Sequence, residues 1–140
     1  NVAINKADAK KVKLFGFPSL QPDMFQENVM KAYQVEEATS GEGGSFIDSN
    51  RTLFAPANDP FVTAQEVKEF INEENAIRDI TNLYLSPLST KAHTLGIALY
   101  FIFECLNKPV SIILPFCEKY KPESAVGISK IWKYTIDFTI

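Results

Sequence analysis

The stretch from Leu83 to Phe116 restricts the fold of this chain more than any other. Leu83, Tyr84 and Leu85 form a short apolar run closed by Ser86-Pro87. Lys91 to Leu106 then carries Leu95, Leu99, Ile102 and Leu106 at helical spacing. Asn107 suits the end of a helix, and the proline of Lys108-Pro109 cannot continue one. Val110 to Leu114 is a β-branched and aliphatic run of the kind that a strand buried on both faces requires. Strand, helix and strand in this order predict a right-handed parallel unit. Such sheets place ligands at the carboxyl ends of their strands, so the loop Ser86 to Thr94 is the first candidate site.

The flanking sequence extends the same alternation. Val12 to Phe15 reads as a strand that runs into the turn Gly16-Phe17-Pro18-Ser19. Asp23 to Ala38 reads as a helix. Gly16 either meets a ligand above the first strand or makes a tight strand-to-helix turn; no GxGxxG pattern accompanies it. Thr39 to Asn50 is loop-like in composition, either a lid or a plain connection. Arg51 to Ala55 predicts a second strand. Asp59 follows it, as a ligand contact beyond the strand or as a turn or cap residue before the next helix. Thr63 and Glu66 have capping-box spacing, with Val67, Phe70, Ile71 and Ile77 as the buried stripe of the helix they open. Glu74 falls near that stripe, where a carboxylate needs a partner or a ligand. Ile131 to Ile140 alternates as an edge-type strand with one apolar face. Five strands separated by helices predict an α/β fold: a five-stranded, mainly parallel, doubly wound sheet of flavodoxin-like or Rossmann-like character, a three-layer sandwich with Val110 to Leu114 central and buried.

The totals narrow the function classes. The 140 residues suit one domain, and 46% hydrophobic with 22% charged residues is ordinary for a globular chain. A net charge of −3 provides no basic footprint for nucleic acid. Glu104 interrupts the apolar run nearest to a membrane span, and the polar N-terminus lacks the apolar core of a signal peptide. Cys105 and Cys117 read as buried reduced thiols, with a disulfide or a reactive thiol as the alternatives. A cytoplasmic protein without a membrane or nucleic-acid partner is expected. His93 is the only histidine and no cysteine cluster accompanies it, so no metal site and no cofactor is expected. His93 is either a general acid or base beside Thr94 or a locally bonded residue at a helix start.

Several segments, in order and over nearly the whole chain, resemble the nucleoside 2-deoxyribosyltransferases and the related deoxynucleoside-monophosphate glycosidases. Val12-Lys13-Leu14-Phe15-Gly16-Phe17-Pro18 looks like the opening strand and turn of that family, and Pro56 with Asp59-Pro60-Phe61 like its post-strand segment. Phe70 to Arg78 followed by Thr81 to Leu85 looks like the family's helix and the strand ending in "aDlvva". Thr94-Leu95-Gly96-Ile97-Ala98, then Asn107-Lys108-Pro109-Val110, is similar to "ElGyA … GKPv". The resemblance implies a single domain of this type over residues 1–140, a homodimer or higher oligomer, and a nucleoside or nucleotide ligand. It places Gly16, Phe17, Pro18, Asp59, Glu74, Ser89, His93 and Thr94 around that ligand. The family's chemistry uses a glutamate that attacks the anomeric carbon of deoxyribose; the matching position here is Thr94, and the aspartate of "aDlvva" is Asn82. A threonine hydroxyl is a poor nucleophile without an adjacent base. The reading is therefore a nucleoside- or nucleotide-binding pseudoenzyme of glycosidase lineage. An active N-glycosidase or deoxyribosyltransferase with altered catalytic residues is the first alternative. An interaction or assembly protein that keeps only the fold is the second.

Overall fold

Four short strands pair two by two, and each pair is parallel. The computed structural model describes residues 10–40, 52–114, 127–128 and 130–138. Strand β1 (Lys13–Gly16) leads to helix α1 (Pro22–Ser40), β2 (Thr52–Ala55) to α2 (Pro60–Ile77), and β3 (Leu83–Leu85) to α3 (Lys91–Tyr100). A π-helical segment, Phe101–Cys105, continues α3 and is followed by β4 (Val110–Ile112). Lys13 lies opposite Thr52 and Gly16 opposite Ala55 in the first pair; Leu83 lies opposite Val110 and Leu85 opposite Ile112 in the second.

The alternation of strand and helix is as the sequence predicts, but the single sheet is not. The five-stranded, doubly wound, Rossmann-like or flavodoxin-like arrangement is replaced by two separate two-stranded sheets, β1-β2 and β3-β4. Packing between helices, rather than a ladder between β1 and β3, joins the two halves. Strands of three and four residues offer few ladder bonds, whereas α2 and α3 lie against each other along much of their length. Val110 to Leu114 is not central: among the described residues β4 pairs only with β3, and Ser111 to Leu114 are exposed. A run of aliphatic residues signals a strand without stating how many neighbours it has. The alternating segment from Ile131 also forms no ladder within the described residues 130–138. Most of the 39–50 loop lies outside the described residues, as do Arg51 and Cys117.

Two helix boundaries also move. The N-cap of α2 is Asp59, not Thr63: Asp59 Oδ1 accepts the amides of Phe61 at 2.9 Å and Val62 at 3.0 Å. Pro60 fits the first helical position because its missing N–H would be unsatisfied there anyway. Thr63 therefore sits one turn inside the helix, fully buried, with Oγ1 donating to the Asp59 carbonyl at 2.7 Å. The pattern from Lys91 to Leu106 is regular only to Tyr100 before it widens into the π turn. Ile77, expected on the buried stripe, is 79% exposed at the end of α2.

The core consists of Val67 from α2, Leu85 from β3, and Ile97, Tyr100 and Cys105 from α3 and its extension, with Ala64, Ile71, Leu83, Phe101 and Val110 packed around them. Its closest approach is between Gly96 and Thr63. A Cβ on Gly96 would lie 2.6 Å from the Pro60 carbonyl oxygen and 2.6 Å from Thr63 Cβ. Neither group can withdraw cheaply, since one is backbone and the other is the stem of a buried, hydrogen-bonded side chain. Gly96→Ala is expected to destabilise the protein by about 1–3 kcal/mol in denaturant titration, the usual cost of overpacking. A stabilisation of about 1 kcal/mol, the gain in helix propensity alone, would show that the helices are not in this contact.

Tyr100 adds a pH dependence to the same core. Burial, reinforced by a hydrogen bond with Cys105 and by the nearby Cys105 and Glu104 charges, holds its hydroxyl well above the usual value of 10.0. A raised folded-state value means that the stabilisation is complete below about pH 10 and is lost as pH rises further, because the unfolded chain releases the proton first. Above pH 10 the wild type should lose stability faster than Tyr100→Phe, by up to about 1.4 kcal/mol per pH unit. Parallel stability curves for the two proteins between pH 9 and 11.5 would remove this role.

Candidate functional site

The turn that ends β2 is held from three directions. The Phe17 amide donates to the Ala55 carbonyl at 2.8 Å, and the Ala57 amide donates to the Pro18 carbonyl at 2.9 Å. These bonds tie the turn after β1 to the turn after β2. From the other half of the molecule, Thr90 Oγ1 donates to the Ala57 carbonyl at 2.7 Å and accepts the His93 amide at 3.2 Å as the N-cap of α3.

His93 completes the junction. It has no exposed surface. Its Nε2 lies 3.3 Å from the Ala55 carbonyl oxygen and 3.1 Å from that of Pro56, and its Nδ1 lies 3.0 Å from Ser89 Oγ. Carbonyl oxygens only accept, so Nε2 carries a hydrogen. In the neutral ring Nδ1 is then an acceptor, and the Ser89 hydroxyl donates to it. The tautomer follows from the partners.

Gly16 belongs to the same junction. A Cβ there would stand 2.8 Å from Ala57 Cβ and 3.5 Å from His93 Cε1. The glycine allows β1 to end against the turn and the imidazole, the close-packed strand-to-helix connection among the two readings of this position.

An open cavity of about 1590 Å³ lies beside the junction, lined by β1 on one side and by β3 with the following loop on the other. Serine and threonine hydroxyls from Ser86, Ser89 and Thr90 border it at the carboxyl end of β3. Aromatic rings come from several elements, among them Phe15, Phe70, Tyr84, Trp132 and Tyr134. Tyr134 is anchored by its hydroxyl, which donates to the Asn58 carbonyl. Four lysines, Lys10, Lys13, Lys91 and Lys130, contribute to the wall, and among the described residues no aspartate or glutamate does. In a chain with net charge −3, this wall is locally positive.

The residues singled out from sequence divide between this cavity and the surrounding scaffold. Gly16, Ser89 and His93 line it. Phe17 and Pro18 are outside its wall; the Phe17 ring packs 4.9 Å from Phe25 and 6.4 Å from Phe54, centroid to centroid. Asp59 spends its carboxylate on the α2 amides. Glu74 receives Lys10 Nζ at 2.6 Å and Arg78 at 3.9 Å, so its core-side charge has protein partners. Thr94 is exposed, bonds back to the Thr90 carbonyl at 3.1 Å, and does not line the cavity. Of the two sequence readings of His93, beside Thr94 or locally bonded at a helix start, the fold shows a local bond, to Ser89 in the loop before α3. Lys91, Trp132 and Tyr134 are wall residues that the sequence reading did not select. The apolar face of the alternation from Ile131 was the signal available for Trp132 and Tyr134.

Among the described residues no group of three or more His, Cys, Asp or Glu side chains converges as a metal site, and no helix is long and apolar enough to cross a membrane. Cys105 is a buried free thiol. Compared with known proteins, the chain matches no family model, no curated protein and no solved structure.

The junction gives a direct test. Gly16→Ala forces its new methyl group against Ala57 and should cost about 1–3 kcal/mol of stability. In the double variant Gly16→Ala/Ala57→Gly the clash is relieved, so the two changes should be non-additive in a double-mutant cycle. Additive losses in thermal or denaturant unfolding would show that the two backbones do not meet here.

Proposed function

We propose that the protein binds a nucleoside monophosphate or a closely similar anionic, aromatic small molecule in the cavity between the two sheets. The observation that carries this reading is the composition of the wall: lysines and aromatic rings with hydroxyls at the end of β3, and no carboxylate among the described residues. Aromatic side chains offer faces on which a base can stack. The Ser86 hydroxyl matches a sugar hydroxyl. A phosphate requires positive charge, and Lys91 and Lys130 are exposed cationic members of the wall. Lys10 is engaged by Glu74 and contributes less. The resemblance to the nucleoside 2-deoxyribosyltransferases supports the same ligand class from the sequence side.

The wall also favours binding over glycosidic cleavage. Removing a base from deoxyribose through a glycosyl ester needs a carboxylate in contact with the anomeric carbon. Asp59 and Glu74 have other partners, and Thr94 stands outside the cavity.

Trp132 is the only tryptophan and lines the cavity, so its emission reports occupancy. Titration with deoxynucleoside monophosphates should change that emission in a saturable way. The corresponding deoxynucleosides should bind about tenfold more weakly, a difference of about 1.4 kcal/mol for the lost phosphate contacts. Lys91→Ala with Lys130→Ala should abolish that difference, and base release should stay at the buffer rate throughout. Unchanged Trp132 emission and no calorimetric heat with any deoxynucleotide at millimolar concentration would refute nucleotide binding. Base release above the buffer rate would refute the non-catalytic assignment.

A further inference from the structure

We infer that Ser89 is an activated nucleophile, with His93 as its general base, and that the protein can accept an acyl group from an ester at this hydroxyl. The inference is independent of nucleotide binding: it rests on the geometry around one imidazole. A weakly acidic hydroxyl becomes nucleophilic when a base within hydrogen-bond reach takes its proton and a third group holds that base in the productive tautomer. All three parts are present. Ser89 Oγ lies 3.0 Å from His93 Nδ1. The opposite ring nitrogen, Nε2, lies within 3.3 Å of the Ala55 carbonyl and 3.1 Å of the Pro56 carbonyl. Two carbonyl oxygens on one N–H fix Nδ1 as the acceptor. They occupy the place that a carboxylate holds in a serine–histidine–aspartate arrangement.

Access and charge stabilisation agree with this assignment. The imidazole is wholly buried, whereas Ser89 is exposed and lines the cavity. With its hydrogen directed at Nδ1, the oxygen has its lone pairs available to a bound carbonyl carbon. Ser89 immediately precedes Thr90, the N-cap of α3. In the first turn of that helix Thr90 takes the amides of His93 and Thr94, through Oγ1 at 3.2 Å and the carbonyl at 3.0 Å. The amides of Lys91 and Ala92 precede any intrahelical bond and belong to the helix start, where negative charge is stabilised.

The reaction balances with the ester and water alone. Ser89 Oγ bonds to the acyl carbon as its proton passes to His93 Nδ1; the carbon–oxygen bond to the leaving alcohol then breaks, and the same proton is delivered to that oxygen. Water attacks the acyl-serine, gives a proton to Nδ1, and the proton returns to Ser89 Oγ as the acid departs. No metal, oxidant or reductant enters.

The experiment uses the full chain with two probes. A fluorophosphonate should add one phosphonyl group per molecule at Ser89, with loss of fluoride, located by peptide mass mapping. p-Nitrophenyl acetate should release p-nitrophenol in a burst equal to the protein concentration. Ser89→Ala should lose the label and the burst and lower the steady rate at least about 100-fold, the usual scale of an activated nucleophile and base. It should keep the wild-type circular dichroism spectrum, because losing the one Ser89 bond to Nδ1 leaves both Nε2 contacts and the Thr90 bonds of the junction in place. His93→Gln should also lose the label; because it disturbs the junction, the decision rests on wild type and Ser89→Ala. Wild-type protein left unlabelled at Ser89 by millimolar probe overnight would overturn the inference and leave Ser89 as a hydrogen-bond partner of His93 only. Equal esterase rates in wild type and folded Ser89→Ala would overturn it as well. Neither result bears on the Trp132 titration, so the two readings fail separately.

Discussion

The hydrogen bonds that His93 and Thr90 make to the turn after β2 hold the rest of this structure in place. They connect the half built on β3, α3 and β4 to the half built on β1 and β2, which share no strand ladder. His93 has no surface exposed to solvent in the resting protein, and a ring nitrogen left without a partner there would cost on the order of 1–3 kcal/mol. The partners are backbone carbonyls and a serine of the same loop. The orientation of the imidazole is thus set by groups that cannot move without displacing a strand end. Gly16 and the Thr63–Gly96 contact extend this constraint: at both, a single methyl group would collide with a neighbour. The molecule is held together at places where small residues let backbones approach.

Function follows from what the divided sheet leaves open. Where one continuous sheet would bring β1 and β3 together, both strands instead border a cavity. Its wall shows a separation of charge that composition hides. The chain has more acidic than basic residues, yet the described wall carries lysines and no carboxylate. Glu74 is neutralised by Lys10 and Arg78, and Asp59 caps α2. The acidic side chains that looked most functional therefore stabilise helices and ion pairs. Lys10 itself is also held over the Phe70 ring, 5.3 Å from its centroid, which couples the cavity wall to the α2 scaffold.

Much of the secondary structure was legible because it depends on local chemistry. The short apolar runs before Gly16, Pro56 and Ser86 became strands, and the breaks that end them are residues with restricted or permissive backbones. For the start of α2 the sequence offers two caps, and the structure uses Asp59, four residues before Thr63. Thr63 and Glu66 satisfy the capping-box spacing, but Asp59 followed by Pro60 satisfies the backbone earlier. Val110 to Leu114 was read as a central strand because aliphatic content records strand preference and not the number of neighbours; the exposed Ser111 and Ile112 show the difference. His93 reads from sequence as either an acid or base beside Thr94 or a locally bonded residue at a helix start, and its bond to Ser89 is local. Adjacent residues on a helix point apart, whereas Ser89, four residues earlier, falls beneath the ring.

The sequence by itself determined the order of the first four strands and the helices between them, and the parallel pairing of β3 with β4 across α3. These depend on propensities, caps and periodicities that act within a few residues. Only the tertiary structure decided that the sheet divides, that Glu74 and Asp59 are satisfied within the scaffold, and that Ser89 and two backbone carbonyls share His93. Those outcomes depend on packing and on partners as distant as Lys10 and Glu74, 64 positions apart. A side chain's sequence position specifies its chemistry; which carbonyl or carboxylate it meets is specified only when the halves of the fold close on each other.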